Sequence, residues 1–189
     1  ESAEEIVDRL AAAKNPIIYV GGGIILAKAA KELRKLVDHL SLPVAHSLMG
    51  KGALPDDHPL TLGMTGFWGT QYINDSCREA DLILGLGSRF KEADASSWYP
   101  EFTFDIPKTK LIQIDIEPSE IGRNYPVEIG VIADLKQALR VLYGVAKEKY
   151  PEGIQRASLK NEIADARQKF KETNVEMEQS DAFPMMPER

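Results

Sequence analysis

Three short segments of the chain carry residue types and spacings that can do chemistry. Gly21-Gly22-Gly23 follows the apolar run Ile17 to Val20 and precedes a helical pattern. Backbone N–H groups at such a junction attract phosphate, and glycine lets a ligand approach closely. The same three glycines serve equally as a tight strand-to-helix turn. No GxGxxG fingerprint is completed, because Ala27 or Lys28 fills the third position. No acidic residue closes the second strand, which runs into Ala45, His46 and Ser47, so an ordinary NAD site is not indicated. The second segment is Gly85-Leu86-Gly87-Ser88-Arg89-Phe90. An arginine there can fork onto a pyrophosphate, or form a surface salt bridge. The third is Ile114-Asp115-Ile116-Glu117, where two carboxylates alternate with isoleucines and share one strand face. They can accept hydrogen bonds from ribose hydroxyls or an adenine amine, pair with Arg89, or cap the turn at Pro118. General acid–base work needs a reactive group beside them, and none is evident.

Other reactive side chains are isolated. His46 and Ser47 are adjacent, which does not make a nucleophile and its base. His58 lies in the turn Asp57-His58-Pro59 and is expected to be exposed. His39, His46 and His58 lack metal-ligand spacing. Trp68, in a glycine-rich stretch, stacks on a ring or fills the core or its rim, and the core or rim is favoured.

These residues need a scaffold, and the hydrophobic pattern supplies it. Ser2 and Glu5 form a capping box for a helix whose apolar face is Ile6, Val7, Leu10 and Ala11. Strands are expected at 17–20, 43–47, 81–87, 110–117 and 127–133, with a sixth hidden near Leu60 to Met64. Helices are expected over Ala29 to Leu40, from Thr70 to Glu79, and after Asp134, which with Gln137 caps its helix. DLILGLG does not alternate and reads as a central parallel strand. The stretch 48–69 is loop-rich, and 88–107 is a long irregular, functional loop. Strands alternating with helices predict a three-layer α/β/α, Rossmann-like domain over 1–149 with a mainly parallel five- or six-stranded sheet. Residues 150–189 read as a charged helix, solvated or packed on something absent, and then a Pro-Met-rich linker, DAFPMMPER.

Composition narrows the function classes. The 189 residues are 43% hydrophobic and 28% charged, with a net charge of −6. No basic excess exists to neutralise a nucleic acid, and no apolar run is long enough to span a bilayer. The acidic, helical start does not read as a signal peptide. The one cysteine, Cys77, excludes an intrachain disulfide and fits a reducing compartment, so a cytoplasmic location is expected.

Four segments in order, NPIIYVGGG, LPVAHSLMGKGALPDDHPLTLGMTGFWGT, EADLILGLGSRF and KLIQIDIEPSEIGRN, resemble the central domain of acetolactate synthase and related thiamine-diphosphate enzymes. The resemblance spans roughly residues 3 to 145. It implies a six-stranded parallel sheet set between a pyrimidine-binding and a diphosphate-binding domain. Those two domains hold thiamine diphosphate and a magnesium ion in a homo-oligomeric parent enzyme. In the synthases the central domain binds FAD, which plays no redox part in the main reaction. By motif, the FAD contacts would fall on Gly22, Gly23, Ser47, Leu48, Met49, Gly63, Met64, Gly66, Gly87, Arg89, Asp115, Ile116 and Glu117, with Asp134 matching a family Gly-Asp pair in which Ala133 replaces the glycine.

The chain departs from that pattern at Lys91, Glu92 and Ala93, where FAD-binding synthases usually carry two aspartates and an arginine, and at Trp68, in place of a histidine. The loop SRFKEADASSWYPEFTFDIP also differs. Relatives with this domain act on 2-oxo acids or acyl-CoA, and bind FAD, an ADP moiety or neither. The glutamate that activates thiamine and the Gly-Asp-Gly metal motif are not found in the sequence, and PMMPER resembles the opening of the family's last domain. The chain is therefore expected to be an excised central domain with no turnover of its own. The other readings are a structural spacer with a vestigial nucleotide site and, on weak grounds, a sirtuin-type deacetylase, for which the zinc cysteines are absent.

Overall fold

A computed structural model describes residues 2–181, except the side chains of Glu176 and Met177. Residues 182–189, which include most of the expected linker, lie outside the described residues. The chain alternates as expected: α1 (Ser2–Ala12), β1 (Pro16–Val20), α2 (Gly23–Leu26), α3 (Ala30–Leu40), β2 (Val44–His46), β3 (Thr61–Met64), α4 (Gln71–Arg78), β4 (Leu82–Leu86), α5 (Glu92–Ala95), β5 (Lys110–Asp115), β6 (Ile129–Ile132), α6 (Leu135–Lys149) and α7 (Leu159–Glu178). The six strands form one sheet in the order β3-β2-β1-β4-β5-β6, parallel at every pairing. The hidden strand near Leu60 exists and is the sheet's edge.

Side chains alternate across β1, so its two faces feed two separate cores. Ile18 and Val20 pack with Leu10 of α1, Leu36 of α3 and Leu139 of α6. Ile17 and Tyr19 pack with Ile73 and Cys77 of α4, Phe90 and Phe104. A sheet apolar on both faces must be covered on both, which gives the three layers. The second core is aromatic: Tyr19 lies 4.9 Å from Phe90 and 5.1 Å from Phe104, ring centroid to centroid. The Phe90 ring sits against Gly85 of β4, where a Cβ would come within 2.8 Å of it. The segment 88–107 is thus partly core, with Phe90, Phe104 and Ile106 buried and Trp98, Tyr99 and Phe102 on the surface.

The C-terminal helix corrects one expectation. Its first half docks on the domain itself: Ile163 is buried in the aromatic core, and Leu159 packs beside it. Arg167 donates hydrogen bonds to the carbonyls of His58 and Thr61, tying α7 to the edge strand β3. Beyond that point Phe170 is exposed. The connection from α6 to α7 is pinned by Arg156, whose guanidinium donates to the carbonyls of Leu40, Leu10 and Ala13. A cation at the C-terminal ends of α1 and α3 satisfies carbonyls that those helices leave open.

Candidate functional site

In a parallel sheet all strands end on one edge, and every segment singled out for chemistry lies there. Gly22 and Gly23 follow β1; Ser47, Leu48 and Met49 follow β2; Gly63 and Met64 end β3, with Gly66 just beyond. Gly87 and Arg89 follow β4, Asp115 closes β5 ahead of Ile116 and Glu117, and Asp134 follows β6. Between β1 and β4 the strand order reverses, because the chain winds outward from β1 to β3 and returns to start again at β4. The crevice beyond such a reversal is where open α/β sheets place their ligands. Backbone hydrogen bonds knit the edge together: Ser47 N to Val20 O at 3.0 Å, Gly87 N to Ile114 O at 2.9 Å, and Ala133 N to Asp115 O at 3.0 Å.

Several of these residues already have structural work. Gly21 N donates to Leu86 O and Gly23 N to Gly87 O, so the glycine turn is closed by the neighbouring loop. A Cβ on Gly21 would stand 2.2 Å from Gly87 O. Glycine there is required by the close approach of two backbones. Gly22 lies against Met49, where a Cβ would meet the Met49 Cβ at 3.1 Å. Ser47 Oγ accepts from Gly50 N and caps a 3₁₀ turn at Leu48–Gly50. Asp115 Oδ1 accepts from Glu117 N. Glu117 accepts from the amide and hydroxyl of Ser119, and these bonds hold its carboxyl below the usual range. It therefore caps the turn at Pro118, as one of the sequence readings had it. Asp134 caps α6 through Gln137 N at 3.0 Å.

His46 and His58 are engaged in hydrogen bonds within the fold. His46 is buried, and its Nδ1 donates to the Ser47 carbonyl at 2.9 Å; burial pushes its pKa down. The expectation that His58 is exposed is overturned. Its ring is buried, Nε2 lies 3.0 Å from Asp38 Oδ1, and Nδ1 accepts from Leu60 N. The ring links α3 to the edge strand, where the turn's polar sequence had hidden it. Trp68 sits on the rim, half exposed, and stacks edge-on against Phe67 at 5.7 Å. With Met49 and Ile116, Phe67 and Trp68 leave exposed apolar groups along the same edge.

Arg89 makes its ion pair with neither Asp115 nor Glu117, although its charge adds to the hydrogen bonds of Ser119 in holding the Glu117 carboxyl low. Its Nε lies 3.4 Å from Oε1 of Glu120, which also takes Arg123 at 3.0 Å. The turn that presents Arg89 is unusual, since Phe90 has φ +46°, a conformation that a bulky L-residue rarely adopts. It is held by Phe90 N to Ser88 Oγ, and by Trp98 Nε1 and Asn124 Nδ2, which both donate to Phe90 O. The buried ring of Phe90 anchors the turn to the core. Glu120, Arg123, Trp98 and Asn124 were not singled out from the sequence. The i,i+3 spacing of Glu120 and Arg123 was the available signal, and the spacing of Trp98 from Phe90 held none.

A family model for the thiamine pyrophosphate enzyme central domain covers residues 3–142. This chain belongs to that family. The central domain is 39% identical over 133 residues to a probable acetolactate synthase large subunit of Methanocaldococcus jannaschii, covering 70% of the chain and 22% of that protein. It is 32% identical over 194 residues to a probable acetolactate synthase large subunit of Methanococcus aeolicus, covering 98% of the chain and 31% of that protein. It is similarly related, at 36% over 188 residues, to a glyoxylate carboligase of Escherichia coli O157:H7, with 98% of the chain and 30% of that protein covered. The central domain thus spans less than a third of the length of these relatives. Among the described residues no helix is long and apolar enough to cross a membrane, and no group of His, Cys, Asp and Glu is placed to hold a metal ion.

Proposed function

We propose that this chain is the nucleotide-holding central domain of an acetolactate synthase-like carboligase, binding FAD or an ADP-containing nucleotide at the carboxyl edge of its sheet. The observation that carries the reading is convergence. Residues from Gly22 to Asp134, far apart in the chain, lie along the one carboxyl edge that contains the strand-order reversal, with Arg89 ion-paired there to a buried carboxylate. Arg89, with Nε 3.4 Å from Glu120 and its side chain 63% exposed, offers its guanidinium to a ligand's phosphates. The exposed Met49, Phe67 and Ile116 along this edge fit contact with a flanking domain or an apolar ring. FAD in such a position would be a structural ligand without a redox part, as the resemblance implies. Thiamine diphosphate and magnesium would be held by the flanking pyrimidine- and diphosphate-binding domains of a homo-oligomeric parent, and the central domain alone would have no turnover.

The test is binding. The chain incubated with FAD and desalted should keep a flavin absorbance band, or be stabilised by ADP. A flat response to both nucleotides overturns the binding claim. A second reading, a spacer with a vestigial site, has its own support. The amides of Gly21 and Gly23 are already bonded within the protein, and Asp115, Glu117 and Asp134 already serve as local caps. That reading predicts the flat response.

A further inference from the structure

We infer that Glu120 is a positioning residue that holds Arg89 and Arg123 as a paired guanidinium clamp for the diphosphate of a nucleotide. The inference rests on the nucleotide-binding reading and assigns the clamp to residues outside the glycine turn. Glu120 is 5% exposed, whereas the side chains of Arg89 and Arg123 are 63% and 61% exposed. Its Oε1 accepts a hydrogen bond from Arg123 at 3.0 Å and forms an ion pair with Arg89 Nε at 3.4 Å, and its Oε2 is buried without a partner among the described residues. A carboxylate oxygen orphaned in the interior is a cost, and its retention asks for a reason. Drawing two mobile cations toward one point is such a reason, because it reduces the rotamer freedom that a ligand would otherwise have to freeze out.

The backbone around Glu120 is fixed as firmly as the side chain. Gln113 of β5 donates from Nε2 to the carbonyls of Glu120 and Ser88, and accepts from Gly122 N at Oε1. One buried amide thus locks the loop carrying Arg89 to the turn carrying Glu120 and Arg123. The two arginines line a cavity of about 360 Å³ together with Lys91, Glu92 and Trp98. The Trp98 indole is oriented by its hydrogen bond to Phe90 O at 2.9 Å and is 46% exposed. Three cations, two carboxylates and an oriented indole suit an anion attached to a planar ring, so the ligand class is a nucleoside diphosphate. Lys91 and Trp98 lie in the loop where this chain departs from the synthase pattern.

The test compares ADP with adenosine by calorimetric titration of the 189-residue chain. Wild type should bind ADP more tightly than adenosine. Both Glu120→Gln and Arg123→Gln should weaken ADP about tenfold while leaving adenosine within about twofold, and Glu120→Asp should recover part of the loss. A general loosening of the fold would instead weaken both ligands alike. Should Glu120→Gln fail to fold, Glu120→Asp, which keeps the charge but withdraws it by one methylene, must still weaken ADP selectively, and Arg123→Gln, altered at an exposed side chain, tests the clamp beside it. The inference is overturned, with nucleotide binding intact, if wild type binds ADP and Arg123→Gln binds it equally well, or if the variants lose ADP and adenosine in parallel. Absence of ADP binding by wild type overturns the clamp, and absence of FAD binding as well overturns the nucleotide reading.

Discussion

Single residues at the carboxyl edge are held by two kinds of constraint, steric and electrostatic. Gly21 illustrates the steric kind. With Gly87 O 2.2 Å from where a Cβ would stand, Gly21→Ala must push two loop backbones apart. The expected cost is about 3 kcal/mol, the upper end for overpacking, read as a lower urea midpoint with an unchanged slope. His46 illustrates the electrostatic kind. Burial lowers its folded pKa below the ordinary 6.5, so the unfolded chain binds the proton more readily. Its contribution is complete above pH 6.5 and is lost as pH falls through that value toward the folded pKa. Unfolding free energy should therefore decline as pH falls through about 6.5, and His46→Gln should flatten the decline. The carboxylates of Asp56 and Glu128 are held low by hydrogen bonds from Lys51 and Lys110, so their losses come at more acid pH and are separable. An unchanged slope in His46→Gln would refute the assignment.

At the scale of elements, α7 shows how burial divides a helix. Its sequence is mostly charged, with a thin apolar stripe of Leu159, Ile163, Ala166 and Phe170. Nothing in that stripe says which member is covered. The structure buries Ile163 almost completely and leaves Phe170 54% exposed. Ile163→Ala should cost about 2–4 kcal/mol, and Phe170→Ala less than about 0.5 kcal/mol, both by chemical denaturation. Equal effects would mean that α7 does not dock as described. The short α5 and the turn at Phe90 make the complementary point. Their conformation is set by core aromatics and by donors from Trp98 and Asn124, which local propensity does not encode.

For the whole molecule the question is whether ligand and fold are coupled. A nucleotide gripped at β1, β4 and β5 bridges both halves of the sheet, so binding to the native state alone should stabilise all of it. At a hundred times its dissociation constant the gain is about 2.7 kcal/mol, which for a domain of this size corresponds to a rise of about 5–10 °C in Tm. Scanning calorimetry with FAD and with ADP measures it. An unmoved Tm at saturating nucleotide would favour the spacer reading. The net charge of −6 disfavours anions in general, so a grip on phosphate must come from the local cations at Arg89, Lys91 and Arg123.

Periodicity alone determined the alternating scaffold. Apolar runs such as DLILGLG and KLIQID, alternating with amphipathic helices, fit a parallel sheet covered on both faces. The sheet's direction then places every strand end, and with it Gly22, Ser47, Arg89 and Asp115, on one edge. The motif order was legible too, because long segments in fixed succession identify a family. Pairing and burial were decided only by the tertiary structure. Arg89 and Glu120 are thirty-one positions apart, and a sequence does not rank Asp115, Glu117 and Glu120 as its partner. The choice depends on which carboxylate the turn after β5 turns inward. The burial of His58 and the docking of Ile163 were hidden for the same reason: each is made by contacts between elements remote in the chain, and a local pattern reports only the element it lies in.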